Sequence, residues 1–378
     1  MTADLLINGR VLTPRGPEPA TVRLAGDRIA EVRPPASGDR GLDLEGDVLA
    51  PGFIDTQVNG GGGVLFNEAP TAAAIATIGA AHRMFGTTGF LPTFISDDLS
   101  ALARAIAAAD EAMAAGVPGV LGIHIEGPFL NASRKGIHDA SKFRTLDDAA
   151  FGLLTSLKRG RTLVTLAPEA TTPQMIRRLV EAGVVVAAGH TNADYETIRA
   201  ALAAGMTGFT HLFNAMSPLA SREPGAVGAA LEDQDSWCGL IADGRHVHPA
   251  VLRIALRARR PERYMLVTDA LAAVGMAEKT FTLQGRTIRV EGGVCVDENG
   301  TIAGSDLDMV SAVRNIMAIG ELDLADAVAM ASAAPAAFLG LADVGTLAPG
   351  ARADLVQLDG DLQVRRTWIG GQPSTPAS

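Results

Sequence analysis

The chain has 378 residues, 47% of them hydrophobic, and a formal net charge of −10. A chain of this size can bury the core of one barrel of about 250 residues with a smaller unit attached, and its negative balance argues against a nucleic-acid or anionic-membrane surface while leaving small anions open. Cys238 and Cys295 are too few for a disulfide framework and have no zinc-finger spacing, so both are expected to be buried thiols; no window reaches the roughly 20 apolar residues of a membrane span, and MTADLLINGR lacks a secretory h-region, giving an expected cytoplasmic location.

Residues 1–50 alternate short apolar runs (LLING, ATVRLAG, RIAEVRP, GLDLEG, DVLAPG) with Gly, Pro and Asp turns, which reads as a meander of strands. The tail, GTLAPGARADLVQLDG and LQVRRTWIGG, repeats the style with three short strands. The two ends, 1–50 and 343–378, are therefore expected to pair into one small β-sandwich domain. Between them, residues 51–342 alternate strand-like and helix-like segments. The strand candidates are GFIDTQVN, TGFLPTFI, VLGIHIEGP, TLVTLAPE, VVVAAGH, GFTHLFN, CGLIAD and YMLVTDA. Ala-rich amphipathic stretches such as TAAAIATIGAAHRMFG, ALARAIAAADEAMAAG, TPQMIRRLVEAG and YETIRAALAAG separate them, several ending in a glycine C-cap signal. Eight such repeats, with no GxGxxG or P-loop pattern, favour a closed (β/α)8 TIM barrel over an open nucleotide-binding sheet. FTLQG, TIRVEGG and VCVDENG break the alternation, so a β-hairpin insertion over the barrel mouth is expected near 280–304.

Glu126, His190, His211 and Asp269 each close a different strand candidate. In a barrel, side chains at the C-terminal strand ends converge on one centre. One carboxylate and two imidazoles, with a position left for water, form a common catalytic set for zinc or a similar divalent ion, so Glu126, His190 and His211 are read as metal ligands. Asp269 either caps a following helix or takes the proton of a metal-activated water and passes it to a leaving amine; its expected place beside the metal set favours the base. His138, in the loop after the third strand candidate, can polarise a carbonyl or be only a loop residue. Asn214 and Ala215 can offer an amide and a backbone N–H to an anion at a helix start, or simply cap that helix. Arg222 is a two-pronged donor suited to phosphate, although a loop arginine is usually just solvated. His124 shares the inward face with Glu126 and is read as a supporting residue, while no role is given to His82.

Taken in order, PGFIDTQVNGGGG, IEGPFLN…KGIHDA, VTLAPE, AGHTNA, THLFNAMSPL, REPGAVGA, DGRHVHP, VTDA and AGSDLDM resemble the N-acetylglucosamine-6-phosphate deacetylase family of the amidohydrolase superfamily, over about residues 1–370. The resemblance implies the same ligand set and the same base. It further implies hydrolysis of the N-acetyl group of an amino-sugar 6-phosphate, one divalent metal ion per subunit, and a homodimer in which Arg222 reaches the phosphate of the neighbouring subunit's substrate. By the same resemblance His138 supports the oxyanion, Ile137, Asn214, Ala215 and His246 contact the substrate, and Ile302, Ala303 and Gly304 form a wall of the sugar pocket. His248 has no matching role and is expected to be structural. Zinc is the leading metal, with iron, cobalt, manganese and cadmium left open by ligand type. Where many amidohydrolases carry His-x-His, this chain has Gln57-Val58-Asn59, which favours a single metal and hydrogen-bonding roles for both amides. The galactosamine epimer or a cyclic amide is the alternative substrate. A non-catalytic sugar-phosphate binder is disfavoured because every catalytic position is filled by a competent residue.

Overall fold

The eight strand candidates of the middle region form one parallel sheet in the computed structural model, which describes residues 5–374. We number them β1 (Phe53–Val58), β2 (Thr87–Ile95), β3 (Gly122–Glu126), β4 (Arg161–Leu166), β5 (Val185–Ala188), β6 (Gly208–Phe209), β7 (Trp237–Leu240) and β8 (Tyr264–Leu266). Each pairs with its sequence neighbour, so the order in space is the order in the chain. Both faces are covered, which is why β1 and β2 are buried at every position and read as continuous apolar runs rather than alternating ones. The ring closes just past the named strands. Asp269 N–H donates to the Gln57 carbonyl (3.0 Å) and Asn59 N–H to the Ala270 carbonyl (2.9 Å).

The Ala-rich stretches fold as the crossover helices. Thr71, Thr172 and Asp194 cap Ala72–Arg83, Pro173–Glu181 and Tyr195–Ala203 by accepting backbone N–H groups two or three residues into each helix. The Leu99–Ala114 helix follows Asp98, with Gly116 in the left-handed region just beyond its end.

The chain ends share a second eight-stranded sheet, as expected, but its first five strands are not a meander. Leu5–Thr13 lies inside the sheet, antiparallel to Gly16–Ala25 on one side and parallel to Leu42–Asp43 and Val48–Pro51 on the other. The loop after Arg28–Arg33 carries the chain back across, pinned by Asp39, which accepts from Arg33 and from the Ala36 amide. Of the three tail strands, Leu355–Leu358, Val364–Ile369 and Gln372–Pro373, none covers GTLAPG. The sheet curls until Ile29 N–H reaches the Ala351 carbonyl (2.9 Å), enclosing Leu6, Val22, Ile29, Leu49 and Trp368.

The insertion is also larger than one hairpin. Thr280–Leu283, Arg286–Glu291, Val294–Val296 and Ile302–Ser305 make a four-stranded antiparallel sheet. Its apolar face (Leu283, Ile288, Cys295, Ala303) packs on Leu65, Ile95, Ile137 and Leu271 at the mouth of the barrel. Ile302–Ser305 then runs beside the segment after β8, with Ser305 N–H on the Asp269 carbonyl (2.9 Å).

Asp55, fully buried in β1, joins that seam by accepting from Thr268 Oγ1 (2.5 Å) and from the Gln57 amide (3.1 Å). Burial pushes its carboxyl up to about 7 despite these bonds. A raised acid binds its proton more tightly folded than unfolded, so its contribution to stability is fully present below the unfolded value of about 4 and is lost as pH rises through about 7. Asp55→Asn keeps an acceptor without a charge to bury. Urea unfolding of the metal-free proteins should show the variant gaining on the wild type by about 1–3 kcal/mol between about pH 5 and about pH 8. A gap that does not change with pH would mean that Asp55 does not titrate there.

Candidate active site

The polar strand ends meet where the sequence places them. Glu126 is the last residue of β3, His190 and His211 lie just past β5 and β6, and Asp269 just past β8. His190 (φ 49°), His211 (φ 34°) and Asp269 (φ 50°) all adopt left-handed backbone. That conformation costs of order 1–3 kcal/mol per non-glycine residue and persists where packing over-determines it. Here it turns each side chain from the strand direction toward the barrel axis.

Glu126 Oε1 lies 3.1 Å from His190 Nε2 and 3.0 Å from His211 Nε2, and the two Nε2 atoms are 3.1 Å apart. His190 Nδ1 faces the Arg134 carbonyl at 2.8 Å, an acceptor, so Nδ1 carries the hydrogen and Nε2 presents a lone pair to the centre. Burial opposes charge at both ends of the cluster, yet the imidazoles hold the Glu126 carboxyl well below its usual range, and Glu126 in turn raises His211. A carboxylate and imidazole lone pairs converging this closely, out of contact with water, suit a divalent cation. Glu126, His138 and His190 also each bring one ligand atom within 4.8 Å of the others. His138, however, gives Nδ1 to Ser96, whose Oγ is 2.8 Å away and whose amide N–H points at it from 3.4 Å. Burial, with His190 nearby, pushes His138 down to about 3, so the ring is neutral.

Asp269 does not cap a helix; none begins there. Its Oδ1 accepts from Asn59 Nδ2 (2.7 Å) and Gln57 Nε2 (3.2 Å), and Gln57 Nε2 also reaches Glu126 Oε2 (3.1 Å). The two amides in place of His-x-His thus clamp the two carboxylates. Burial, then repulsion from Glu126, pushes Asp269 up to about 6 in the protein alone.

These groups open into a cavity of about 200 Å³. Every sequence-predicted site residue but one lines it: Ile137, Asn214, Ala215, His246, Ile302, Ala303 and Gly304 join the centre itself. Gly304 (φ 150°) is needed, since a Cβ there would sit 2.8 Å from the Asp269 carbonyl oxygen. Arg222 is the exception, exposed on its loop and away from this chain's cavity. No helix starts at Asn214 either. Residues 211–215 form a turn with Ala215 at φ 52°, and Asn214 Nδ2 points back at the His211 carbonyl (3.3 Å). His124 bonds Thr93 and Thr165 rather than Glu126; His82 bonds the Gly60 carbonyl, and His248 caps Pro249–Ala258. Both cysteines are buried thiols pushed up to about 12 by burial. Sequence reasoning passed over Ser96, Asp243 and the apolar wall of Leu65, Ile95, Leu271 and Leu283. A polar residue ending a strand candidate, as in TFIS, was the available signal for Ser96.

A parallel barrel with imidazoles, a carboxylate and a separate aspartate at its C-terminal end is the arrangement of a metal-dependent hydrolase. The family model described as the amidohydrolase family matches residues 48–374. The chain belongs to the amidohydrolase family. It is 46% identical to N-acetylgalactosamine-6-phosphate deacetylase of Shewanella sp. (strain ANA-3), over 87% of this chain and 84% of that one. It is 36% identical to N-acetylglucosamine-6-phosphate deacetylase of Haemophilus influenzae, over 93% of each. The structure of a mutant of the N-acetyl-D-glucosamine-6-phosphate deacetylase of Mycobacterium smegmatis, in complex with N-acetyl-D-glucosamine-6-phosphate, superposes with a TM-score of 0.91 over 99% of each chain at 38% identity.

Asn59→Leu keeps the bulk of the clamp and removes one donor from Asp269. It should lower kcat by about 10- to 100-fold and move the acid limb of the pH–rate profile upward, because an unsupported buried carboxylate holds its proton more tightly. Metal content should be little changed. An unmoved acid limb would show that Asn59 does not support the base.

Proposed function

We propose that this chain hydrolyses the N-acetyl group of N-acetyl-D-glucosamine 6-phosphate, releasing acetate and D-glucosamine 6-phosphate. The observation that carries the reading is the convergence of Glu126 Oε1, His190 Nε2 and His211 Nε2 within 3.1 Å, with Asp269 clamped beside them. In the proposed assignment those three residues hold one divalent ion, zinc first. Bound there, the ion supplies Lewis acidity, activating water and polarising the acetyl carbonyl.

The chain's own residues do the rest. Asp269 takes a proton from the attacking water and hands it to the amine as the C–N bond breaks, a shuttle served by a carboxyl whose burial already favours the protonated form. His138, neutral and fixed through Nδ1 by Ser96, presents Nε2–H to the carbonyl oxygen and stabilises the charge that gathers on it. Leu65, Ile95, Leu271 and Leu283 give the acetyl methyl a dry wall. Gly304, Ala303 and Ile302 bring the insertion against the sugar.

Arg222, outside its own cavity, is proposed to reach the substrate phosphate of the partner in a homodimer, and the exposed Leu219 (57%) beside it is apolar surface such a contact would cover. The proposed division assigns residues 51–342 to the barrel with its insertion and 1–50 with 343–378 to the terminal β domain. Among the described residues no helix is long and apolar enough to cross a membrane. With a phosphorylated sugar as substrate, the proposed location is the cytoplasm and the proposed context amino-sugar catabolism.

The 46% identity to a galactosamine-6-phosphate enzyme gives the C4 epimer weight as a second substrate. Acetate release should therefore be measured on both sugar phosphates, before and after chelation and zinc restoration, with Asp269→Asn alongside. The expected result is turnover that chelation removes, zinc restores, and the variant lacks by about 10³-fold or more. Absence of turnover on either epimer with any restored divalent metal would overturn the assignment.

A further inference from the structure

A second acid–imidazole pair sits at the cavity, outside the proposed catalytic centre. Asp243 Oδ2 lies 2.5 Å from His246 Nδ1, with the two side chains 6% and 5% exposed. Asp243 Oδ1 meanwhile accepts the amide N–H groups of Arg245 and His246, each at 2.8 Å. One carboxylate thus both closes the turn after β7 and seats the ring. Because a carboxylate only accepts, His246 Nδ1 carries its hydrogen, and the opposite edge is left for the cavity. There Nε2 is buried without a partner.

The lining of this cavity makes that edge singular. It contains no lysine or arginine. His190 and His211 are turned to Glu126, and His138 is neutral and committed to Ser96. Glu126 and Asp269 are acids. An anionic group entering from solvent therefore meets an uncommitted imidazole edge of this chain at His246, whose nearest acid is Asp243 and which shares the cavity lining with Asp269.

We infer that Asp243 is a positioning residue for phosphoryl recognition: it fixes His246 through Nδ1 so that the Nε2 edge of the ring faces the cavity, with a carboxylate behind the ring, where a phosphate would meet it. The inference rests on the reading of the site given above. Burial works against a charged Asp243, but the His246 ring and the two amides outweigh it and hold the carboxyl below its ordinary range. The carboxylate behind the ring and the unpartnered Nε2 edge in front of it seat His246 to bond a phosphate group.

Asp243→Asn keeps an oxygen for the two amides and replaces the charge with an NH2 group, while Asp243→Ser is a second turn-forming substitution should the first fold poorly. KM and kcat are to be measured for N-acetyl-D-glucosamine with and without the 6-phosphate, together with calorimetric affinity for glucosamine 6-phosphate and for inorganic phosphate. The expected result is a rise in KM for the phosphorylated sugar of about tenfold with kcat changed far less, and a matching loss of affinity for both phosphate probes. The preference for the phosphorylated over the plain sugar should shrink by the same factor. In a His246→Asn background, Asp243→Asn should cost nothing further. Proportional losses on both sugars, or an unchanged preference, would overturn the inference and leave Asp243 a turn residue. If the wild type turns over neither sugar, the reading of the site fails; the affinities for the two phosphate probes still decide the role of Asp243.

Discussion

Two carboxylates buried within reach of one amide are the constraint around which this molecule is arranged. Glu126 and Asp269 both take hydrogen bonds from Gln57 Nε2, at 3.1 and 3.2 Å. Leaving two like charges this close and out of water is costly unless each is bonded and a cation is near. Asn59 meets part of that cost at Asp269, and His190 and His211 meet part of it at Glu126. Gln57 and Asn59 lie at the end of the first strand and Asp269 follows the eighth, so the bonds that hold the Asp269 carboxylate also tie the two edges of the ring. Closing the barrel and assembling the site are one event. Asp55 and Thr268 continue the same seam further into the core.

The rest of the architecture supplies what that centre needs. Left-handed backbone at His190, His211 and Asp269 stores strain that the surrounding barrel can bear, because both faces of every neighbouring strand are packed. Gly127 is demanded by the same crowding, since a Cβ on it would meet Ser96 Oγ, the atom that fixes His138, at 2.2 Å. The four-stranded insertion adds an apolar lid edge, and through Ser305 it is bonded to the carbonyl of Asp269 itself.

What could be read from the sequence follows from which signals are local. The eight barrel strands and the polar residues at their ends were legible because apolar runs of strand length, several finishing in His, Glu or Asp and separated by helix-like stretches, bring those side chains to the mouth of a parallel barrel. The proposed substrate-side residues rest on the family motifs rather than on spacing. Pairing partners were not legible. The runs before residue 50 look like a meander because each strand is visible, whereas the parallel partners of Leu5–Thr13 depend on a loop held by Asp39. The helix expected at Asn214 fails for a similar reason, since nothing local announces φ 52° at Ala215. Asp243 was hidden because Asp-Gly is an ordinary turn signal; its second oxygen matters only once His246 is in place.

The three imidazoles around Glu126 separate into two kinds by where their hydrogens must be. His190 gives Nδ1–H to a carbonyl oxygen, which frees a lone pair on Nε2. His138 receives the Ser96 amide at Nδ1, and an amide N–H can only donate, so the ring hydrogen sits on Nε2. A protonated Nε2 cannot ligate a metal without losing that proton, but it can bond the oxygen of a substrate. His211 Nδ1 has no partner, which leaves its tautomer free to follow the charge at the centre. Proximity alone would group His138 with Glu126 and His190. The hydrogen-bond partners separate the rings in the way the proposed roles require, with His211 as the third ligand and His138 as the donor to the acetyl oxygen, through one serine amide and one arginine carbonyl.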